Sequence, residues 1–173
     1  VIHGDVKPGD ILLTPDGRTF LSDFGLAEAV AGSPRLASMG ISLRSPEYIS
    51  PEECLGQKAE SRSDIYSLGV VLYQMLTRRV PFTSEDGVLQ HIYATPTAPR
   101  ELNRLIPEAV EEVMLKALAK EPEDRYQSAG ELSRALDEAV SQSRTEPRQP
   151  IGVVGRAKPL NELSNRLIIL RHR

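Results

Sequence analysis

The chain has 173 residues and a formal net charge of −3, which is enough length for one compact domain with a core and too acidic a balance for bulk binding to nucleic acid or anionic lipid. Hydrophobic residues make up 40% and charged residues 26%, which excludes the disordered and fibrous classes. A single cysteine, Cys54, excludes an internal disulfide, so a reducing intracellular compartment is the simplest setting.

The opening VIHGDVKPGDILL places a polar loop, broken by Gly and Pro, between two apolar stubs. ILLTPDGRTFLSDFG then reads as two short strands, Ile11 to Leu13 and Thr19 to Leu21, reversed by the turn TPDG in front of Asp23. From Gly25 to about Arg44 the chain is rich in Ala, Gly and Ser without a clean period and reads as a long loop of the kind kept for function. SRSDIYSLGVVLYQMLTRR predicts a helix beginning near Ser63 or Asp64. Its apolar residues Ile65, Leu68, Val70, Val71, Leu72, Met75 and Leu76 go most of the way round, the pattern of a buried helix. The apolar run from Ile65 to Leu76 is too short and too interrupted to span a bilayer. Pro107 suits the first turn of an amphipathic helix whose apolar positions are Val110, Val113, Met114, Ala117 and Leu118. Ser128 and Glu131 have the spacing of a capping box and lead into a helix presenting Leu132, Leu136, Ala139 and Val140.

The residues suited to chemistry cluster early. His3, Asp5, Lys7 and Asp10 form the pattern HxDxKPxD, followed after the hairpin by Asp23-Phe24-Gly25, then by Ser50-Pro51-Glu52 and by Asp64 at the start of the central helix. With these motifs in this order, residues 1–142 resemble the C-terminal lobe of a eukaryotic-like, bacterial-type Ser/Thr protein kinase. HGDVKPGDILL is similar to the catalytic loop, SDFG to the metal-binding turn, and RSPEYISPEE to the end of the activation segment. SDIYSLGVVLYQMLTRRVPF is similar to the central helix, and KALAKEPEDRYQSAGEL to the closing helices. The resemblance implies an α+β protein kinase fold, here a mostly α-helical C-lobe with a short β-hairpin and with the N-lobe absent. It also implies ATP as phosphate donor, Mg²⁺ (or Mn²⁺) as cofactor and a protein as substrate.

By that resemblance Asp5 orients the attacking hydroxyl, Lys7 contacts the γ-phosphate, and Asp10 and Asp23 hold metal. Ser45 stands where the substrate's next residue is received. His3 and Phe24 stack in an internal column resting on Asp64, Gly25 completes the DFG turn, and Glu52 pairs with Arg125. Two positions depart from the family pattern: Gly4 replaces an Arg that usually receives an activation-loop phosphate on residues such as Ser33, Ser38 or Ser42. Asp10 replaces a metal-binding Asn. These departures keep a rival reading open, a pseudokinase acting as a binding or scaffold module.

The beginning of the chain in mid-loop, with no Gly-rich loop or strand lysine before it, reads as a fragment whose N-lobe precedes Val1. Residues 143–151, which include two prolines, read as a linker. Residues 152–173 read either as an amphipathic tail or as the start of a second domain, because GVVGRAKPLNELSNRL is similar to the opening of signal-transduction ATPase domains. The expected location is the cytoplasm, with no nucleic acid and no membrane contact within the chain.

Overall fold

The computed structural model describes residues 1–24, 45–83 and 87–145. Two strands, β1 (Ile11–Leu13) and β2 (Thr19–Leu21), pair antiparallel with Ile11 opposite Leu21, Leu12 opposite Phe20 and Leu13 opposite Thr19. The reversal between them is set by Gly17, whose N–H donates to Thr14 O at 2.9 Å while its own φ is +83°, a value that glycine adopts without a Cβ clash. This two-stranded ribbon is the sheet of the described structure, and helices form the rest.

The helices are α1 (Pro51–Cys54), α2 (Ser61–Thr77), α3 (Gly87–Tyr93), α4 (Pro99–Leu102), α5 (Glu108–Ala117) and α6 (Ala129–Thr145). Each start has a local cause. At α1 Ser50 donates twice to Glu53 Oε2, through its hydroxyl at 2.7 Å and its N–H at 3.3 Å. At α2 the Glu60 N–H donates to Ser63 Oγ at 3.0 Å, so the helix begins two to three residues before the expected Ser63 or Asp64. Pro107 is the cap of α5 rather than its first turn. At α6 the Glu131 N–H donates to Ser128 Oγ at 3.2 Å, as in a capping box, but the Glu131 carboxylate accepts from Gln127 N–H instead of the Ser128 N–H.

The core lies between α2, α5 and α6. Ile65, Tyr66, Val70 and Tyr73 of α2 meet Val110, Val113, Met114 and Ala117 of α5, and Leu132 and Ala139 of α6 close the other side. Gly69 lets α2 and α5 approach closely: a Cβ there would lie 3.0 Å from Ala117 Cβ and 3.3 Å from the Ala117 carbonyl carbon. Two expected core positions fall outside this packing. Met75 is 70% exposed because it lies on the side of α2 turned from α5, and Val140 is 37% exposed at the edge of a stripe carried by Leu132, Ala135, Leu136 and Ala139. Residues 143–145, placed in the linker on sequence grounds, belong to α6; the remainder of that segment and residues 152–173 lie outside the described residues.

Candidate active site

The opening loop is held from below by the first turn of α2. Asp64 accepts the backbone N–H of His3 through Oδ2 and that of Gly4 through Oδ1, each at 2.8 Å, so one carboxylate orients two consecutive peptide groups. Gly4 has φ +80°, a left-handed conformation that a side chain would strain. Val6 is buried and fixes the middle of the loop.

His3 fastens this loop to the end of the hairpin. Its Nε2 donates to the Ser22 carbonyl at 2.7 Å, its Nδ1 accepts the Asp5 N–H at 3.4 Å, and its ring lies 4.7 Å from that of Phe24. The accepting carbonyl assigns the proton to Nε2 and leaves Nδ1 as an acceptor. The imidazole thus has structural partners on both nitrogens.

The hairpin returns the chain so that Asp23 stands beside Asp10. Ser22 donates its N–H to Asp10 O at 2.9 Å, and its hydroxyl reaches Asp10 O and Asp23 Oδ2, both at 3.2 Å. Asp23 has φ +62°, a strained value for a residue with a side chain and one that clusters at functional sites. Lys7 donates to the Asp5 carboxylate, and its Nζ stands 3.9 Å from Asp10 Oδ2. The hydrogen bond that Lys7 donates to Asp5 outweighs partial burial and raises the Lys7 pKa, so the ammonium is firmly charged.

Asp10 is buried, and among the described residues no hydrogen bond reaches its carboxylate. Burial raises its pKa; Lys7 opposes this, and the nearby Asp5 and Asp23 carboxylates add to it. Asp10 and Asp23 are hard oxygen donors in an anionic corner that fits a divalent cation. Among the described residues no three potential metal ligands converge.

Ser45 lies apart from this group, at the start of a turn in which Tyr48 N–H donates to Ser45 O at 3.1 Å. The turn stands on α2: Ser67 Oγ donates to Tyr48 O at 2.7 Å and the Tyr48 hydroxyl to Gln74 at 2.8 Å. Gly25, together with Ser33, Ser38 and Ser42, lies outside the described residues.

Glu52 and Arg125 form a bidentate pair, with Nη1 to Oε1 and Nη2 to Oε2 both 2.8 Å. Arg125 is 2% exposed and also donates to the carbonyls of Ala119, Arg62 and Lys120. Burial pushes the Glu52 carboxyl upward, but the hydrogen bonds from Arg125 and Ser63 prevail and its pKa is lowered. Cys54, half-buried beside this pair, has its thiol pushed up to about 11 by burial and by the Glu53 and Glu52 charges, so it stays protonated.

One buried group was not apparent in the sequence. His91 of α3 is fully buried between Tyr66 and Phe82, and Lys120 donates to its carbonyl at 2.7 Å. A lone His in VLQHIY carries no spacing signal that would single it out.

The model of the protein kinase domain matches residues 1–137, and the chain belongs to the protein kinase family. Several of its relatives are bacterial proteins named as Ser/Thr kinases. It is 39% identical over 139 residues to the serine/threonine-protein kinase PknB of Mycobacterium leprae, covering 79% of this chain and 22% of that protein. It is 37% identical over 147 residues to the serine/threonine-protein kinase PrkC of Bacillus subtilis, covering 83% of this chain and 22% of that protein. A probable serine/threonine-protein kinase of Clostridium acetobutylicum is 34% identical over 174 residues, covering 95% of this chain and 26% of that protein. The chain therefore spans about a quarter or less of the length of these relatives. Among the described residues no helix is long and apolar enough to cross a membrane.

Proposed function

We propose that residues 1–142 are the C-terminal lobe of a Ser/Thr protein kinase that transfers the γ-phosphate of ATP to Ser or Thr hydroxyls of proteins in bacterial signalling. The observation that carries this reading is the grouping of Asp5, Lys7, Asp10 and Asp23 on a loop and hairpin whose backbone is tied down by Asp64 and His3. Phosphoryl transfer needs little covalent chemistry from the protein and much positioning, which is what such an anchored loop supplies.

In this reading Asp5 accepts the hydrogen bond of the attacking hydroxyl and aims its oxygen at the phosphorus, later taking its proton. Lys7, whose charge is secured by Asp5, faces the transferring phosphate. Asp10 and Asp23 would hold Mg²⁺ (or Mn²⁺), which supplies charge neutralisation at the phosphates. Ser45 and its turn receive the residue next to the acceptor. Glu52 and Arg125 tie the segment carrying that turn to the region before α6. Gly4 leaves an activation-loop phosphate without its usual guanidinium receiver, so activity does not require that modification. Beyond α6 the chain would continue as a linker and then as an amphipathic tail or the start of a second domain, and the protein works in the cytoplasm.

The test is Asp5→Asn in the full-length parent. Transfer to a protein substrate should fall by about 10²-fold or more with ATP affinity nearly unchanged. Normal turnover in that variant would sink the assignment. The rival, a pseudokinase, draws on Gly4 and Asp10. It prevails if the wild-type parent shows no transfer over a range of Mg²⁺ and Mn²⁺ concentrations and peptides.

A further inference from the structure

Helix α2 packs into the core, yet two of its serines are buried with it: Ser63 is 1% exposed and Ser67 5%. A buried hydroxyl costs free energy unless it is bonded. Ser63 donates to Glu52 Oε1 at 2.6 Å and accepts the Glu60 N–H at 3.0 Å, so its proton and an acceptor site are both in use. For Ser67 the ready partner inside the helix is the carbonyl four residues back, Ser63 O, at 3.2 Å. A nearer acceptor, Tyr48 O, stands at 2.7 Å. The hydroxyl has one proton, and the shorter contact takes it. Both serines thus direct their protons out of α2 onto one segment, Tyr48 to Glu52.

Positions 63, 67 and 74 follow one another along one side of α2, four and then seven residues apart. Gln74 accepts the Tyr48 hydroxyl at 2.8 Å, so this side of the helix meets the segment at three points. Arg125 closes the Glu52 end. It donates to both Glu52 oxygens at 2.8 Å and, at 3.0 Å, to the Arg62 carbonyl in the first turn of α2. Asp64, next in the chain to Ser63, accepts the N–H groups of His3 and Gly4 at 2.8 Å. Neighbouring residues of one helical turn therefore hold the loop that carries Asp5 and the segment that follows Ser45. A hydrogen-bonded turn is stiff, so the two are registered against each other through side chains one residue apart.

We propose that Ser63 and Ser67 are positioning residues for phosphoryl transfer, their hydroxyls fixing the substrate-receiving segment against the loop that the adjacent Asp64 holds. The role in transfer rests on the reading of Asp5 and Ser45 given above. The holding of residues 48–52 is independent of it. Neither serine touches a reacting atom. Their loss displaces a bound acceptor hydroxyl from Asp5 while the loop itself stays held by Asp64 and His3. Attack by a peptide should therefore suffer, whereas attack by water, which needs no seat on the segment, should not.

Two measurements on the full-length parent test this. Ser63→Ala/Ser67→Ala should lower kcat for a peptide about tenfold or more, with the ATP KM and the slow release of phosphate from ATP to water unchanged. An equal fall in both reactions means that the hydroxyls only support the fold, and it overturns the proposal. Unaltered peptide transfer does the same. Amide exchange reads the holding directly. Leu55 and Gln57 donate their N–H groups to Pro51 O and Glu52 O at 3.1 and 2.9 Å. In Ser63→Ala these amides should exchange about tenfold faster, by a local opening that urea hardly accelerates. Equal exchange, or a rise that follows urea as steeply as at Met114 in the core, overturns the holding. If the wild-type parent transfers phosphate neither to peptide nor to water while this exchange responds, the kinase reading fails and the holding of the segment stands. Should the double variant not fold, either single variant decides by the same ratio of peptide transfer to hydrolysis.

Discussion

Arg125 shows how much depends on single side chains in this protein. Its guanidinium is enclosed, paired with both Glu52 oxygens, and stacked 5.0 Å from the Tyr66 ring. Removing it leaves the buried Glu52 carboxylate uncompensated, with Ser63 as its remaining side-chain donor, and takes a donor from three carbonyls, so Arg125→Ala should cost about 3–5 kcal/mol, measured by chemical denaturation. A cost below 1 kcal/mol, as for a surface pair, would show that water reaches Glu52. His91 supports a pH prediction at the same scale. Burial and the Lys120 charge lower its pKa from 6.5 to about 4. The folded state favours the neutral ring, so this contribution is present above about pH 6.5 and is lost as the pH falls towards 4, at most on the order of 3 kcal/mol. Unfolding free energies across that window should slope downward with acidification, and the slope should flatten in His91→Gln. An unchanged slope would assign the proton uptake elsewhere.

Among the elements, the contact of α2 with α5 leaves little room at Gly69. Alanine is a better helix former than glycine by about 1 kcal/mol, which alone would favour Gly69→Ala. A Cβ at that position meets Ala117 Cβ at 3.0 Å and Leu118 Cδ2 at 3.3 Å, and both residues are buried in the same core. The net effect should be a loss of about 1–2 kcal/mol, because the helices must separate along their packed length. Thermal melts of Gly69→Ala and of Gly69→Ala/Ala117→Gly decide the cause. The double variant should recover stability beyond the sum of the single changes if crowding is responsible. The hairpin makes a different contribution: it adds little core but sets Asp23 beside Asp10, so its value is positional.

For the chain as a whole, the proposed reading makes the anchored loop one side of a phosphoryl-transfer site. In the proposed reading the nucleotide is enclosed between this lobe and another that carries the Gly-rich loop and the lysine, motifs that are not found within the 173 residues. Purified chain should bind ATP weakly and transfer no phosphate above background, as followed by calorimetry and radiolabel transfer. Robust transfer would show that this lobe suffices. Much of this was legible in the sequence because the signals were local or periodic. The turn TPDG, the apolar face Val110, Val113, Met114, Ala117 and Leu118, the start of α6, and the HxDxK and DFG spacing all lie within a few residues of what they specify. The short helices α1, α3 and α4 carried too few residues for a period to register, and the exposure of Met75 and Val140 depended on which neighbours exist. Sequence alone determined the order of chemical groups and the family, because those are patterns along one dimension. Tertiary structure alone decided that Asp10 is buried, that His91 is enclosed between Tyr66 and Phe82, and that Lys120 donates to the His91 carbonyl from 29 residues further along the chain. Burial and hydrogen-bond partnership across such separations arise only when distant elements pack, and no local preference encodes them.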